Sequence, residues 1–237
     1  MEKSFSQKMY SSIGLPLKFI LVLWGIHLLQ LVLPIDFAWL GIYPGRPWGL
    51  RGILFAPLIH SSFGHLLSNS IPLLMLGAII MFFYRRVALR SFLLIYFLTG
   101  LAVWIFGRPV FHIGASGVVY GLVAFVFWNG IFRRNLKSIV LALLVVFYYG
   151  SMFLGIVPGQ EGISWESHLM GGIVGILVSF LFRDQIEEDE RPRTYSWEEE
   201  ENDDGEGRYF LDRDAFDRTR SEQERERQGG DWFSNHT

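Results

Sequence analysis

A serine among glycines heads one apolar run of this chain, and a histidine heads another. Ser116 is the third residue of a Gly-Ala-Ser-Gly string that precedes the run 118–128, and His168 begins the run that ends at 182. The glycines permit close backbone approach, and a helix that starts at Ser116 would direct free N–H groups toward the hydroxyl. A serine is activated by a base within hydrogen-bond reach. We therefore interpret Ser116 as a candidate nucleophile and His168 as its candidate general base, as in a serine protease.

Two glycines that follow the histidine could bring this pair together. Gly171 and Gly175 lie four residues apart, so on a helix they form one smooth stripe against which a neighbouring helix can pack closely. If that neighbour begins at Ser116, we expect the hydroxyl and the imidazole to lie about 2.6–3.2 Å apart. Alternatively, the serine string is only a helix-packing site and His168 a hydrogen-bonded residue near the membrane interface.

A third group, His60, His65 and Asn69, supplies hydrogen-bond donors. His65 and Asn69 are one helical turn apart and share a helix face. An attacked carbonyl oxygen becomes an anion, which the Asn69 amide, a His65 N–H and the Ser116 backbone N–H could stabilise. The alternatives are a polar cluster that bonds neighbouring helices, or a metal site made of His60, His65 and His168.

Acidic side chains are poorly placed to assist catalysis. Glu161 and Glu166 are expected in a short loop, so no carboxylate is predicted to orient His168. We therefore predict a Ser-His dyad rather than a triad, with no metal or organic cofactor. Tyr120, one helical turn after the serine, could fix the imidazole by ring contact. His112, in the preceding loop, could contact substrate, although loop histidines usually have no catalytic role.

The composition places these residues in a membrane protein. The chain has 237 residues, 51% of them hydrophobic, and a mean hydropathy of +0.30, which is more apolar than an ordinary soluble domain. The residues before 183 carry a net charge of +8, and those from 183 onward carry −10. We predict a membrane-embedded domain over 1–183 and an acidic, disordered cytoplasmic tail over 184–237. The chain has no cysteine, which excludes disulfides and cysteine-bound metals.

Six apolar segments are candidates for helices that cross a bilayer. The predicted spans are 17–33, 60–83, 87–106, 116–132, 136–156 and 167–182. A long amphipathic loop over 34–59, rich in proline and aromatic residues, suits the membrane–water interface. The sixth span is short and rich in glycine, so hydropathy supports it least.

Lysine and arginine are unequally divided between the two sides of these spans. Nine lie on the side of the N-terminus and three on the other side, which predicts that both termini are cytoplasmic. This topology brings the N-terminal ends of the second, fourth and sixth spans to the outer side. Those ends carry His60 and His65, Ser116 and His168, so three distant segments bring their reactive side chains to one membrane depth.

Three motifs, in this order and at these span ends, resemble those of the rhomboid intramembrane serine proteases. They are His60-Ser-Ser-Phe-Gly-His65-Leu-Leu-Ser-Asn69, Gly114-Ala-Ser116-Gly117 with Tyr120, and His168 with Gly171 and Gly175. The resemblance covers about residues 18–183 and implies an all-α core of six membrane helices. It implies these roles: Ser116 as nucleophile, His168 as general base, His65 and Asn69 as the oxyanion-stabilising pair helped by the Ser116 N–H, Gly114 in the oxyanion loop, Tyr120 stacked on the histidine, and His60 as support for the first long loop.

The resemblance also implies the setting of the reaction. The expected partners are the lipid bilayer, here that of a bacterial plasma membrane, and single-pass transmembrane substrates cut near its outer leaflet, with no nucleic acid involved. A Trp-Arg pair is common in the family's first loop, whereas Trp48 and Arg51 are not adjacent here, so the anchoring of this loop is not predicted. The alternatives are a catalytically silent rhomboid-like binder of transmembrane clients and a metal-dependent membrane enzyme or transporter.

Overall fold

The computed structural model describes residues 5–33, 35–159 and 164–185, together with 187, 219 and 221. Over these residues the regular structure is helical, with one isolated bridge pair and no strand. The α-helices are α1 (Phe5–Val32), α2 (Gly52–Phe55), α3 (Phe63–Phe83), α4 (Ala88–Phe106), α5 (Ser116–Arg133), α6 (Leu136–Tyr149) and α7 (Trp165–Leu181). Short 3-10 helices cover Phe37–Leu40, Pro47–Arg51, Ala56–Leu58 and Gly150–Ile156. The described residues therefore agree with the predicted all-α class.

Five of the described helices are long and apolar enough to cross a membrane. They are α1, α3, α4, α5, and α6 continued to Ile156 by its 3-10 segment. The shorter α7 has 17 residues, and its ends agree with those of the predicted sixth span within two residues. That α7 also crosses the bilayer stays a prediction.

The first helix starts earlier than the predicted first span. α1 begins at Phe5 and continues through Pro16, whereas the sequence predicts a start at residue 17. Proline lacks the N–H that would extend the helical hydrogen bonding, but here its ring packs against α3 at Gly77, where a Cβ would lie 2.9 Å from the proline Cγ. Pro34, which directly follows the predicted first span 17–33, lies outside the described residues.

The helix that carries the predicted oxyanion pair starts later than predicted. α3 begins at Phe63 rather than at residue 60 because Ser62 caps it. The Ser62 hydroxyl accepts a hydrogen bond from the His65 backbone N–H at 3.1 Å, which satisfies one free donor of the first turn. The helix then continues through Pro72 to its end at residue 83.

α5 lies at the centre of the described helices and packs closely against α7. Ten of its 18 residues are buried. A Cβ at Gly171 would collide with the Gly117 carbonyl, and one at Gly175 would collide with the Gly121 carbonyl. The contacts pair Gly117 with Gly171 and, one turn later on both helices, Gly121 with Gly175. Because the order of the contacts is the same along both helices, α5 and α7 run parallel. Their N-terminal ends, which carry the candidate serine and histidine, therefore lie side by side.

Arg51 makes several contacts within the loop that connects α1 to α3. The Arg51 guanidinium lies 4.5 Å from the ring centroid of Trp39 and 5.2 Å from that of Trp48. Its Nη2 donates a hydrogen bond of 2.5 Å to the Trp39 carbonyl. Farther along, Ile42 and His112 exchange two backbone hydrogen bonds of 3.0 and 2.9 Å. The separated Trp48 and Arg51 therefore do meet, because short helical turns fold this loop back on itself.

The chain divides into two compact units, Met1–Arg191 and Pro192–Thr237. Of the second unit the structure describes Thr219 and Ser221, whose hydroxyl oxygens lie 3.0 Å apart. The predicted acidic tail over 184–237 lies outside the described residues except at 184, 185, 187, 219 and 221. Its disorder and the domain boundary at 183 therefore stay predictions.

Candidate active site

Ser116 is the first residue of α5, and the backbone just before it needs a glycine. Gly114 has a φ of +100°, a conformation that side-chain-bearing residues rarely adopt. A Cβ on Gly114 would also lie 2.6 Å from the Nε2 atom of His65. Glycine at this position therefore lets the His65 ring pack directly against the backbone that leads into the serine.

The Ser116 hydroxyl and the His168 imidazole lie within hydrogen-bond distance, with Oγ 2.8 Å from Nε2. The other ring nitrogen, Nδ1, lies 2.9 Å from the Gly155 carbonyl oxygen. Because a carbonyl oxygen can only accept, we assign the proton to Nδ1, so Nε2 presents its lone pair to the serine O–H. The Gly155 carbonyl thus fixes the tautomer and orientation of this ring, as a carboxylate does in a Ser-His-Asp triad.

The Tyr120 ring packs against the face of the His168 imidazole. The Tyr120 and His168 rings stack with centroids 4.1 Å apart and an interplanar angle of 8°. The Tyr120 hydroxyl donates a hydrogen bond of 2.5 Å to the Met152 carbonyl, which lies in the same 3-10 segment as Gly155. A Cβ at Gly155 would lie 3.1 Å from His168 Nδ1 and would collide with the Tyr120 hydroxyl. Sequence reasoning missed residues 152 and 155, because both act through backbone carbonyls and leave no side-chain signature.

His65 and Asn69 lie on the wall of the same cavity as Ser116 and His168. Asn69 Nδ2 donates a hydrogen bond of 2.8 Å to the His65 carbonyl, which uses one of its two N–H groups. His65 Nδ1 lies 3.2 Å from the hydroxyl of Ser61. The structure thus gathers around one cavity the side chains that the sequence assigns to the nucleophile, the base and the oxyanion donors.

His60 lies behind this group and is not part of the cavity wall. It is 1% exposed, and its ring meets the His65 ring edge-on with centroids 5.0 Å apart. Burial, together with the neighbouring His65, lowers the pKa of His60 from 6.5 to about 4. His60 is therefore neutral at pH 7 and supports His65 by packing.

The lowered pKa of His60 predicts that acid destabilises the fold. Between pH 6.5 and 4 the unfolded chain binds a proton at His60 that the folded chain does not bind. Stability from this group is therefore complete above pH 6.5, and the free energy of unfolding falls by about 3 kcal/mol as the pH drops to 4. We expect His60→Asn to remove this share of the pH dependence.

The measurement is the thermal unfolding midpoint in detergent at pH 7 and at pH 4, for the wild type and for His60→Asn. The difference between the two pH values is taken within each protein, so any general loss of stability caused by the substitution cancels. We expect a difference that is several degrees larger in the wild type. Equal differences in the two proteins would contradict the pKa assigned to His60.

Glu166 does not lie in a loop, as the sequence predicts, but in the first turn of α7, where it is 3% exposed. Its carboxylate pairs with the Arg108 guanidinium, with Nη2 3.1 Å from Oε2 and a second contact from Nε. The N–H groups of a first helical turn favour a carboxylate, and an arginine offsets the cost of its burial. The arginine is 58 residues away in sequence, so no local pattern reveals the pair.

The alternative metal site is not assembled in the described residues. Among them, no three His, Cys, Asp or Glu side chains lie close enough together to hold a metal ion. Of the three histidines in that alternative, His60 packs on His65, whereas His168 contacts the serine.

The candidate residues open onto a cavity of about 1060 Å³. Hydroxyl groups are frequent in its wall, which includes Ser61, Ser62, Ser68 and Ser164. A water molecule takes up about 30 Å³ of liquid, so this space has room for water as well as for a peptide segment. Hydrolysis of a peptide bond requires water and the peptide in the same cavity.

Comparison with known proteins gives a family and several relatives. Residues 47–185 match the family described as the Rhomboid domain. An uncharacterized protein of Mycobacterium tuberculosis is 40% identical over 154 residues, which are 60% of this chain and 62% of that protein. An uncharacterized protein of Mycobacterium leprae is 37% identical over 145 residues, which are 56% of each chain. The "Putative rhomboid protease YdcA" of Bacillus subtilis is 29% identical over 152 residues, 60% of this chain and 70% of its own. The match thus spans about three fifths of the length of the mycobacterial relatives.

Proposed function

The chain belongs to the rhomboid family, whose domain covers residues 47–185, and on this premise we propose that it is an intramembrane serine endopeptidase. It cleaves transmembrane segments of membrane-protein substrates near the outer leaflet, and it does so with a dyad of Ser116 and His168. The observation that carries this proposal is the 2.8 Å contact between Ser116 Oγ and His168 Nε2, in a ring whose Nδ1 proton is held by the Gly155 carbonyl.

The chemistry follows from the assigned tautomer. Ser116 Oγ attacks the carbonyl carbon of the scissile peptide bond while His168 Nε2 takes the hydroxyl proton. The tetrahedral intermediate breaks its C–N bond, and His168 gives that proton to the leaving amine. A water from the cavity then attacks the acyl-enzyme, with His168 again acting as base, and Ser116 is restored.

The oxyanion of both tetrahedral intermediates is stabilised by three donors. One is the Ser116 backbone N–H at the N-terminus of α5, where four helical N–H groups have no partner within the helix. The others are the second N–H of Asn69 and His65 Nε2 beside Gly114. Support comes from the shared cavity wall and from the close packing of His65 on Gly114.

The membrane arrangement that suits this chemistry has six spans over residues 1–183 and both termini in the cytoplasm of a bacterial cell. α7 is the sixth span, which its parallel packing against α5 supports, since two neighbouring parallel helices in a bundle cross in the same direction. The site then opens toward the outer side, where water can reach it, and the acidic tail over 184–237 lies on the cytoplasmic side. Single-pass transmembrane proteins are the substrates.

The test is covalent labelling with a fluorophosphonate, which reacts with activated serines. We expect the wild type in detergent to incorporate one label, which peptide mass spectrometry locates on Ser116. Ser116→Ala should incorporate none. Ser68 is a matched control because its hydroxyl lies on the same cavity wall but donates to the His65 carbonyl at 2.9 Å, so Ser68→Ala should label at the wild-type rate.

Labelling of Ser116→Ala as fast as the wild type would overturn the proposed function, and so would a wild type that stays unlabelled in detergent and in liposomes. The first result would place the reactive serine elsewhere, and the second would favour a silent binder of transmembrane clients.

A further inference from the structure

Two side-chain contacts join the loop before α5 to the first turn of α7. His112 Nδ1 lies 2.6 Å from the Ser164 hydroxyl, and the Arg108 guanidinium pairs with the Glu166 carboxylate. His112 and Glu166 are each 3% exposed, whereas the Arg108 side chain is 57% exposed, so each contact has one buried partner. We call these four residues, Arg108, His112, Ser164 and Glu166, the register latch.

The register latch joins the segment that leads into α5 to the start of α7. His112 precedes Ser116 by four residues, and Ser164 precedes His168 by four residues, so both pairs have the same sequence separation of 52. This equality is not a helix register, because α5 begins only at Ser116 and the glycine contacts between α5 and α7 pair residues 54 apart, Gly117 with Gly171 and Gly121 with Gly175. Both contacts nevertheless join the start of α5 to the start of α7. A shift of one helix start relative to the other would therefore strain the latch contact as well as the dyad contact.

Each end of the latch is itself fixed. His112 Nε2 lies 3.0 Å from the Arg108 carbonyl, which can only accept, so Nε2 carries the proton and Nδ1 accepts from the Ser164 O–H. Burial lowers the pKa of His112, in keeping with this neutral form at pH 7. Ser164 also caps α7 by accepting from the Ser167 backbone N–H at 3.4 Å. One hydroxyl thus links His112 to the turn that precedes His168.

We propose that His112 is a positioning residue of the dyad: through Ser164, and with the Arg108–Glu166 pair beside it, it holds the first turn of α7 so that His168 meets Ser116. This inference rests on the proposed function. Arg108, His112 and Ser164 line the site cavity, but the latch contacts join these residues to one another and to Glu166 rather than to Ser116 or His168, so we assign the latch to alignment. A misplacement of about 1 Å between reacting groups costs roughly a hundredfold in rate, so loss of the latch should lower the rate of attack and leave substrate binding unchanged.

The experiment is a double-mutant cycle on the full chain in detergent, read by the fluorophosphonate labelling rate of Ser116 and by kcat and KM for a transmembrane substrate. We expect His112→Leu and Ser164→Ala each to lower the labelling rate and kcat about ten- to a hundredfold, with KM unchanged. The double variant should be no slower than the slower single variant, because both changes break one link. His112→Asn, which can still accept from Ser164, should recover most of the rate. His112→Leu combined with Gly172→Ala, whose added Cβ would meet no atom within 4 Å, should be no slower than His112→Leu alone.

The outcomes separate the two proposals. If the wild type labels at Ser116, but His112→Leu labels equally fast, or the effects of His112→Leu and Ser164→Ala multiply, the latch is overturned and the protease stands. A His112→Asn variant as slow as His112→Leu would also overturn it, provided that thermal melts show both variants folded at the assay temperature. A wild type without labelling would overturn the proposed function, and the latch with it.

Discussion

Alanine at Ser116 or at His168 is expected to lower the rate of transmembrane-substrate cleavage at least about a thousandfold, to the background of the assay. The first change removes the attacking oxygen, and the second removes the acceptor of its proton. Neither role has a substitute in the described residues: Ser61 lies against His65, and His112 lies against Ser164. The measurement is the appearance of cleaved substrate in liposomes that contain purified enzyme and a model single-pass substrate.

The double variant should be no slower than either single variant. Nucleophile and base act as one unit, so once one is gone the other has nothing left to contribute. Ser68→Ala provides the matched control and should cleave at the wild-type rate, since Ser68 bonds only to the His65 carbonyl in the described contacts. Retention of a tenth of the wild-type rate by His168→Ala would show that another group, or water alone, deprotonates Ser116, and the dyad would then be wrong.

Local patterns were sufficient to predict the helices and the principal candidate residues. Hydropathy located the five long helices, and the sixth apolar run corresponds to α7 within two residues. The Gly-Ala-Ser-Gly string and the histidine followed by Gly171 and Gly175 lie at helix starts. Capping residues and small residues at a helix start can be recognised from the local sequence alone. Helix bounds were less predictable, because Pro16 is tolerated inside α1 by packing against another helix.

Contacts between distant segments could not be predicted from the local sequence, because each contact depends on residues of two segments that lie far apart in the chain. The carbonyl of Gly155 orients His168, but every residue has a carbonyl, so nothing in the sequence marks this one. The local sequence places Glu166 in a loop, because Arg108, the residue that pairs with its carboxylate, is 58 residues away in the chain. The meeting of Arg51 with Trp48 likewise depends on the folding of the first loop and not on adjacency.

Gly171→Ala is expected to lower the cleavage rate about a hundredfold and to destabilise the protein, although alanine favours helix over glycine by up to about 1 kcal/mol. The added Cβ would collide with the Gly117 carbonyl, which is part of the α5 backbone and cannot rotate away. α5 and α7 would have to separate, at a cost of about 1–3 kcal/mol. Since His168 lies one turn before Gly171 on the same helix, this separation draws the imidazole away from Ser116.

Gly172 offers the matched control, since it is the next residue of the same helix and a Cβ there would meet no atom within 4 Å. Gly172→Ala makes the same chemical change, with the same gain in helix propensity, on a face of α7 that has room. It should leave the cleavage rate unchanged and should hold or slightly raise the thermal unfolding midpoint. Equal activity of Gly171→Ala and Gly172→Ala would mean that the dyad does not depend on backbone contact between α5 and α7. The parallel glycine packing would then be incidental to catalysis, and the rate would have to be governed by the loop that carries Gly114 and the 3-10 helix that carries Gly155.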